Sequence, residues 1–407
     1  MAQVPRVEVP SHVPPERVVE FDMWANSAEY PAYATPHDYW QSLEDRGAPR
    51  ICWTPLNGGH WILRGFEDAR EGFRDWKFFT SFPLGIPARQ GGARKLVPVE
   101  VDPPEHQRYR NLLAPLFGPP AVARMEPRIR ELTVGLIEGF LGSGRCEFVA
   151  DMSMKIPTGI FLELMGMPRD QLPQFLAWEH AHMRGNQAEQ IAAGNAIFGY
   201  LAQFFADKER SPGADVSSAL LQAQRLAEQP WEHEDVLNCA YLLYLAGLDT
   251  VANTMSFMWR RLAADPAAQR HVADNLASIG PIAEELIRLS EPALHTRRVR
   301  SDGYFRGVFM KAGEAALCVP NQANRDPAVH RNPAAVDWTR ENSMQLTFGA
   351  GPHRCVGSHL ARLEIRIVLE EWFRRIPAFG IEPGARIDWA CANIMTLERL
   401  PLVWPAH

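Results

Sequence analysis

Between residues 104 and 290, apolar side chains recur mostly at intervals of three and four, the spacing of helices that bury one face. Residues 125–141 and 192–208 carry this pattern most clearly, and Pro212-Gly213 closes the second run. A last long helix is predicted over 358–375. Elsewhere the pattern shortens. Residues 50–54 and 60–63 read as strands flanking Asn57-Gly58-Gly59, a strong hairpin signal. From 292 to 345 β-like runs such as 308–317 alternate with turns, and 400–404 form another. The proline-rich residues 1–45 predict an extended arm over the surface. No repeat, low-complexity segment or linker divides the chain. The pattern predicts one domain over residues 1–407, mainly α with small β-sheets at one side.

Composition narrows the function. Of 407 residues, 46% are hydrophobic and the net charge is −6, so a globular core is expected and a basic nucleic-acid footprint is not. No apolar run reaches the ~18 residues of a bilayer span. The start of the chain lacks the basic-then-apolar layout of a signal peptide. Six cysteines, at 52, 146, 239, 318, 355 and 391, form no C-x-x-C pair, so neither a zinc site nor a disulfide framework is expected. These features predict a cytoplasmic, monomeric bacterial protein with no membrane or nucleic-acid partner.

One cysteine stands apart. Cys355 lies in Phe348-Gly349-Ala350-Gly351-Pro352-His353-Arg354-Cys355-Val356-Gly357, a glycine-punctuated loop that runs directly into the predicted last helix. Unpaired N–H groups at a helix N-terminus favour an anion and lower a thiol's pKa, and the thiolate is the metal-binding form. An arbitrary Cys-x-Gly is ordinarily a buried turn cysteine; here the surrounding string decides.

Three further strings carry chemistry. Tyr241 to Thr254 is a long apolar helical run with Gly247, Asp249 and Thr250 in its middle, all poor helix-interior residues. Thr250 can bond its hydroxyl one turn back and loosen the helix, and a core helix with one polar kink is the plain alternative. Glu285 and Arg288 share a helix face, which taken alone is a surface pair worth little. His106 and Arg110, after Asp102-Pro103-Pro104-Glu105, stand at i and i+4, so the pair can hold a carboxylate. Taken alone, His106 and His295 read as ordinary partly buried histidines.

The cysteine string resembles the haem-ligand signature of the cytochrome P450 family, and the resemblance covers nearly the whole chain. It implies the cytochrome P450 fold, with haem b (iron protoporphyrin IX) between a long distal helix and a proximal cysteine-loop helix. It assigns Cys355 to the iron and Phe348, Gly349 and Gly357 to the loop around it. The distal helix implies an opened groove for dioxygen, with Asp249 and Thr250 delivering protons. Glu285, Arg288 and Arg340 become a buried structural triad. His106, Arg110, Arg297, His353 and His295 become contacts to the haem propionates. Leu96, Val99, Leu242, Leu245, Ala246, Ala293, Ile394 and Met395 would line an apolar substrate pocket, although Leu245 and Met395 read equally well as core.

The match is strongest to the camphor-hydroxylating branch, in Asn57-Gly58-Gly59-His60-Trp61, Lys77-Phe78-Phe79-Thr80-Ser81, Gly247-Leu248-Asp249-Thr250-Val251 and Pro401-Leu402-Val403-Trp404. It breaks in the pocket. Arg94 stands where the branch has its ketone-binding tyrosine, Gly85 where it has a phenylalanine, and Phe82 where it has the acid of a potassium site. Arg94 is expected to face outward, in the loop around Gly91-Gly92-Ala93, rather than to bind a polar substrate group.

The resemblance thus implies a monooxygenase that hydroxylates an unactivated C–H bond of a small apolar terpenoid or norisoprenoid, ionone-like rather than camphor. Dioxygen and two electrons would be used, the electrons from a [2Fe–2S] ferredoxin and its flavin-dependent reductase. Arg108, Arg110, Arg354, Arg362 and Arg366 would form the positive docking face. A camphor hydroxylase proper, a peroxygenase, an isomerase or dehydratase, and a haem sensor are the other readings of the same motifs.

Overall fold

The computed structural model describes residues 6–88, 94–226, 230–340 and 344–405. Helices dominate, and two of them set the site. The distal helix, His233–Ala263, begins at a capping box in which Glu232 and Asp235 satisfy each other's backbone N–H groups. Acids in its first turn and Arg260 and Arg261 in its last complement the helix dipole. The proximal helix, Ser358–Arg375, starts immediately after Gly357. It buries Leu363, Ile367, Val368, Trp372 and Phe373 on one side.

A single core cluster ties the two together. Trp259 of the distal helix and Trp372 of the proximal helix meet edge to face at 5.7 Å, and Phe148 stacks on Trp259 at 4.8 Å. Both tryptophans are fully buried, so the spacing between the helices is fixed by close-packed rings. The helix Ile279–Leu289 packs beside the proximal helix and carries Glu285 and Arg288.

The largest sheet has five strands. The hairpin Ile51–Thr54 and His60–Leu63 pairs antiparallel, and its second strand runs parallel to Ala315–Cys318. That strand pairs with His295–Val299, which pairs with Phe79–Thr80 at the edge. The predicted turn is real: Asn57, Gly58 and Gly59 all adopt positive φ, and Asn57 also accepts the N–H of Met23. Arg145–Glu147, Pro401–Val403 and Gly380–Ile381 make a smaller antiparallel sheet. The helices predicted over 125–141, 192–208 and 358–375 are found at Glu126–Leu141, Gln187–Arg210 and Ser358–Arg375.

The arm differs from expectation. Residues 36–45 form a helix, capped by Thr35, whose hydroxyl accepts the Asp38 N–H. Pro36 at its first position reads as a chain breaker in sequence, yet proline is favoured there because that N–H has no helical partner. The segment before it is anchored rather than loose: Phe21, Met23 and Ala25 are buried with Tyr39 and Trp40.

Candidate functional site

The cysteine loop is shaped by its backbone. Gly349 and Gly351 have φ of 65° and 69°, where side chains are strained. A Cβ on Gly351 would also lie 2.8 Å from the Phe73 carbonyl oxygen. Gly357 has ordinary φ and precedes the proximal helix; a Cβ there would lie 3.9 Å from Cys355 Sγ. The Cys355 N–H donates to the Phe348 carbonyl at 2.9 Å, closing the loop. Arg362 lies 4.2 Å over the Phe348 ring. Cys355 is the one exposed cysteine; the other five are buried. The enclosure of its loop pushes the thiol up, and the Gly357 N–H and Arg110 pull it down.

A rigid buried cluster holds this loop from behind. Arg288, fully buried, donates to both Glu285 oxygens at 2.8 and 2.7 Å. Arg340 adds contacts to the same carboxylate at 3.2 and 3.3 Å. The remaining Arg288 N–H groups reach the carbonyls of Asn324, Pro333 and Ala335. Asn324 in turn accepts the Leu346 N–H and donates to Thr347, at the root of the cysteine loop. Such a pair is worth having in the interior only when every donor and acceptor is satisfied, which is the case here.

One flank of the loop is lined by groups that lack anions. His106 and Arg297 are buried, His295 and His353 half-buried, and among the described residues the Nε2 atoms of the three imidazoles have no hydrogen-bond partner. Arg297 donates to the Thr296 carbonyl and lies 5.3 Å over the Phe73 ring, with no carboxylate at ion-pair distance. The His106 and His353 rings sit 4.4 Å apart. Arg110 donates to the Arg354 carbonyl. Burial, then mutual repulsion with Arg297, Arg110 and one another, pushes His106 and His295 down to about 3 and lowers His353. Asp102 stands 3.8 Å from His353 but already serves Thr80, Ser81 and Arg300. Concentrated donors without acceptors fit an incoming dianion.

The distal helix supplies the opposite wall. It runs unbroken through its middle, so the groove implied by resemblance is not a break in the helix. Its accessible stripe is instead made by Leu242, Leu245, Ala246, Gly247 and Thr250, between turns that are buried. Thr250 does bond back, Oγ1 donating to the Ala246 carbonyl at 2.8 Å. Asp249 is 1% exposed and faces away, accepting from Asn253 Nδ2 at 3.0 Å. Leu96, Val99, Leu242 and Leu245 gather in one cluster with Val356 and Leu360, which flank the cysteine. Ala293 and Ile394 face each other across a short bridge. Met395 is a correction: it is fully buried among Trp40, Leu294 and Leu317, and its sulfur faces Asn321, so it is core.

Arg94 is engaged by one helix. Its guanidinium donates to Asn195 Oδ1 at 3.2 Å and stacks 4.1 Å over Phe198, both on the helix Gln187–Arg210. Gly91, Gly92 and Ala93 lie outside the described residues. Gly85 has φ of 92°, a reason for glycine there. Three of the five arginines of the expected docking face have acidic partners. Arg108 pairs with Asp235, Arg362 with Glu284 and Arg366 with Glu126 in partly exposed ion pairs that offset part of the positive charge. Among the described residues, Arg354 and Arg110 keep no carboxylate partner.

Sequence reasoning missed Glu179 and Arg184, both on the helix Leu172–Arg184. Arg184 Nη1 lies 3.8 Å from Glu179 and 3.9 Å from Asp249, and its Nε donates to Glu398 at 3.1 Å. Phe73, which touches both His295 and the glycine loop, was missed as well. No local spacing announces either.

A thiol at a helix mouth, an accessible stripe opposite, and a flank where Arg110 and Arg297 have no carboxylate partner among the described residues together fit haem b, whose edge carries two carboxylates. Comparison with known proteins agrees. A family model described as Cytochrome P450 matches residues 160–376. The chain is 30% identical to a probable cytochrome P450 127A1 of Sinorhizobium fredii, over 97% of each. It is 28% identical to the vitamin D(3) 25-hydroxylase of Pseudonocardia autotrophica, over 86% of this chain and 89% of that one. The solved structures of CYP101J2 and CYP101C1 each superpose with a TM-score of 0.89, at 30% and 29% identity, over 98% of this chain and all of theirs. With the thiol, its opposing helix and these relatives in agreement, the chain belongs to the cytochrome P450 family of haem-containing monooxygenases.

Proposed function

We propose that this P450 hydroxylates an unactivated C–H bond of a small apolar terpenoid or norisoprenoid, ionone-like rather than camphor. Its electrons come from a [2Fe–2S] ferredoxin and a flavin-dependent reductase, and residues 1–407 work as one cytoplasmic unit. Cys355 holds the iron, with Phe348, Gly349 and Gly357 shaping its loop. His106, Arg110, Arg297, His295 and His353 hold the haem carboxylates. Haem held there, with Cys355 as its thiolate, would supply dioxygen activation and O–O cleavage.

The chain's own residues then do three things. Glu285, Arg288 and Arg340 fix the cysteine loop. Leu96, Val99, Leu242, Leu245, Ala246, Ala293 and Ile394 present an apolar wall that excludes water and positions the substrate carbon. Asp249 and Thr250 hold and pass protons from the polar side of the distal helix to its accessible stripe. Arg354 and Arg110 remain to steer an acidic donor.

The observation that carries the reading is the juxtaposition of accessible Thr250 with fully buried Asp249 on the helix facing the thiol. The substrate preference is supported by Arg94 being engaged with Asn195 and Phe198 rather than offering a donor to a ketone. Losing such an orienting hydrogen bond removes about 1 kcal/mol. Titration with β-ionone and with camphor, read by the low-to-high spin shift and by product analysis after turnover, tests it. Ionone should bind tighter and give one main product; tight camphor binding with a single product and no ionone response would reverse the assignment.

A further inference from the structure

The distal polar cluster is short of positive charge. Glu179 and Asp249 are 3% and 1% exposed. The cation beside them, Arg184, approaches both at only 3.8 and 3.9 Å, because its close bond goes to Glu398. Both Glu179 oxygens and Asp249 Oδ2 lack any donor. Arg184 is thus the one cation that the two buried carboxyls share among the described residues. Two like charges held this way in a low-dielectric interior disfavour double ionisation, so one of them is protonated. Asp249 already accepts from Asn253 Nδ2. Glu179 has no such donor, so the proton belongs on Glu179. Tyr244, the other titratable neighbour, spends its hydroxyl on the Phe175 carbonyl.

We infer that Glu179 holds the proton that recharges Asp249, the two buried carboxyls working as one dyad in oxygen activation. This rests on the proton-delivery reading of Asp249 and Thr250. The Glu179 O–H gives its proton to the Asp249 carboxylate, Asp249 passes that proton toward the accessible stripe, and Glu179 is reprotonated from solvent past Arg184 and Glu398, whose side chain is 40% exposed. One solvent proton enters for each one delivered. Glu179 acts through Asp249 and is a positioning residue. Burial, with the Asp249 charge adding to it, pushes Glu179 up to about 9, so the dyad is loaded at neutral pH.

The test reads the proton itself. Infrared difference spectra of the resting holoprotein should show a protonated-carboxyl C=O band that shifts in D2O and is absent from Glu179→Gln. In turnover, Glu179→Gln should lower product formed per NADH by about tenfold, less than the ~10²–10⁴-fold of a direct acid. It should also remove the decline in coupling as pH rises toward 9. Glu179→Asp, which restores a titratable proton, should recover both in part. A band that persists in Glu179→Gln, or wild-type coupling and pH profile in that variant, overturns the inference. Full coupling in Asp249→Asn would instead overturn the proton-delivery reading beneath it, which the band, read without turnover, tests separately.

Discussion

This molecule holds two buried carboxylate–arginine clusters, and they are built oppositely. Behind the cysteine loop, Glu285 meets Arg288 in a two-pronged bond at 2.7–2.8 Å, and the arginine's other donors end on backbone carbonyls. Beside the distal helix, two acids share one arginine at 3.8–3.9 Å, and three carboxyl oxygens are left without donors. The first cluster has no spare valence and nothing to exchange. The second is under-neutralised and keeps a proton in play. A satisfied network fixes geometry; an unsatisfied one at a functional face is a candidate for moving charge.

That contrast is open to breakage. The largest effect is expected at the closed cluster. Arg288→Ala removes the two-pronged partner of buried Glu285, leaving Arg340 as its charge partner, at a cost of about 3 kcal/mol. Chemical denaturation should register that loss, together with poor haem retention. Asp249→Asn should instead keep the melting temperature nearly unchanged while product formation falls by ~10²–10⁴-fold. A variant of the distal cluster that unfolds as readily as Arg288→Ala would erase the distinction. Thr250→Ala sharpens it further: NADH consumption should continue while product per NADH falls and hydrogen peroxide rises. Unchanged coupling would reduce Thr250 to a helix residue.

The distal cluster also gives a pH response to measure. Glu179 binds its proton up to about pH 9 when folded, against an ordinary value near 4.5 when unfolded. Between those limits the native state holds the extra proton, so this group's contribution to stability falls as pH rises. Thermal melts from pH 5 to 9 should slope downward in the wild type and less so in Glu179→Gln; parallel slopes would show the acid is already ionised. The smallest effect is at the surface. Arg354→Glu should slow reduction by an acidic ferredoxin severalfold at low salt, with the difference fading as salt rises. No change at low ionic strength would put the docking face elsewhere.

Much of the proximal half is legible in sequence, because it is written in contiguous strings. The glycine loop, the i,i+3 pair Glu285 and Arg288, and the helix start at Ser358 are all local. The distal half is legible only where it is contiguous, at Gly247 to Thr250. Glu179 and Arg184 are five apart, off the i,i+4 spacing that flags a helical pair, and their partner Asp249 arrives from another helix. The same reasoning explains the arginine patch. Arg108 and Arg366 have local acids at helical spacing, Glu105 and Glu370, but their pairs with Asp235 and Glu126, like that of Arg362 with Glu284, come from distant sequence. Met395 reads as pocket wall because apolar residues for core and for substrate are chemically alike.

Everything above turns on a thiolate at Cys355. The most direct measurement is the absorption spectrum of the reduced, carbon-monoxide-bound holoprotein, compared with that of Cys355→His. The wild type should show the red-shifted Soret band of an axial thiolate, and the variant should lose both that band and monooxygenase activity while retaining fold. A wild-type spectrum of histidine-ligated haem, or a Cys355→His protein that keeps the thiolate band, would contradict the account.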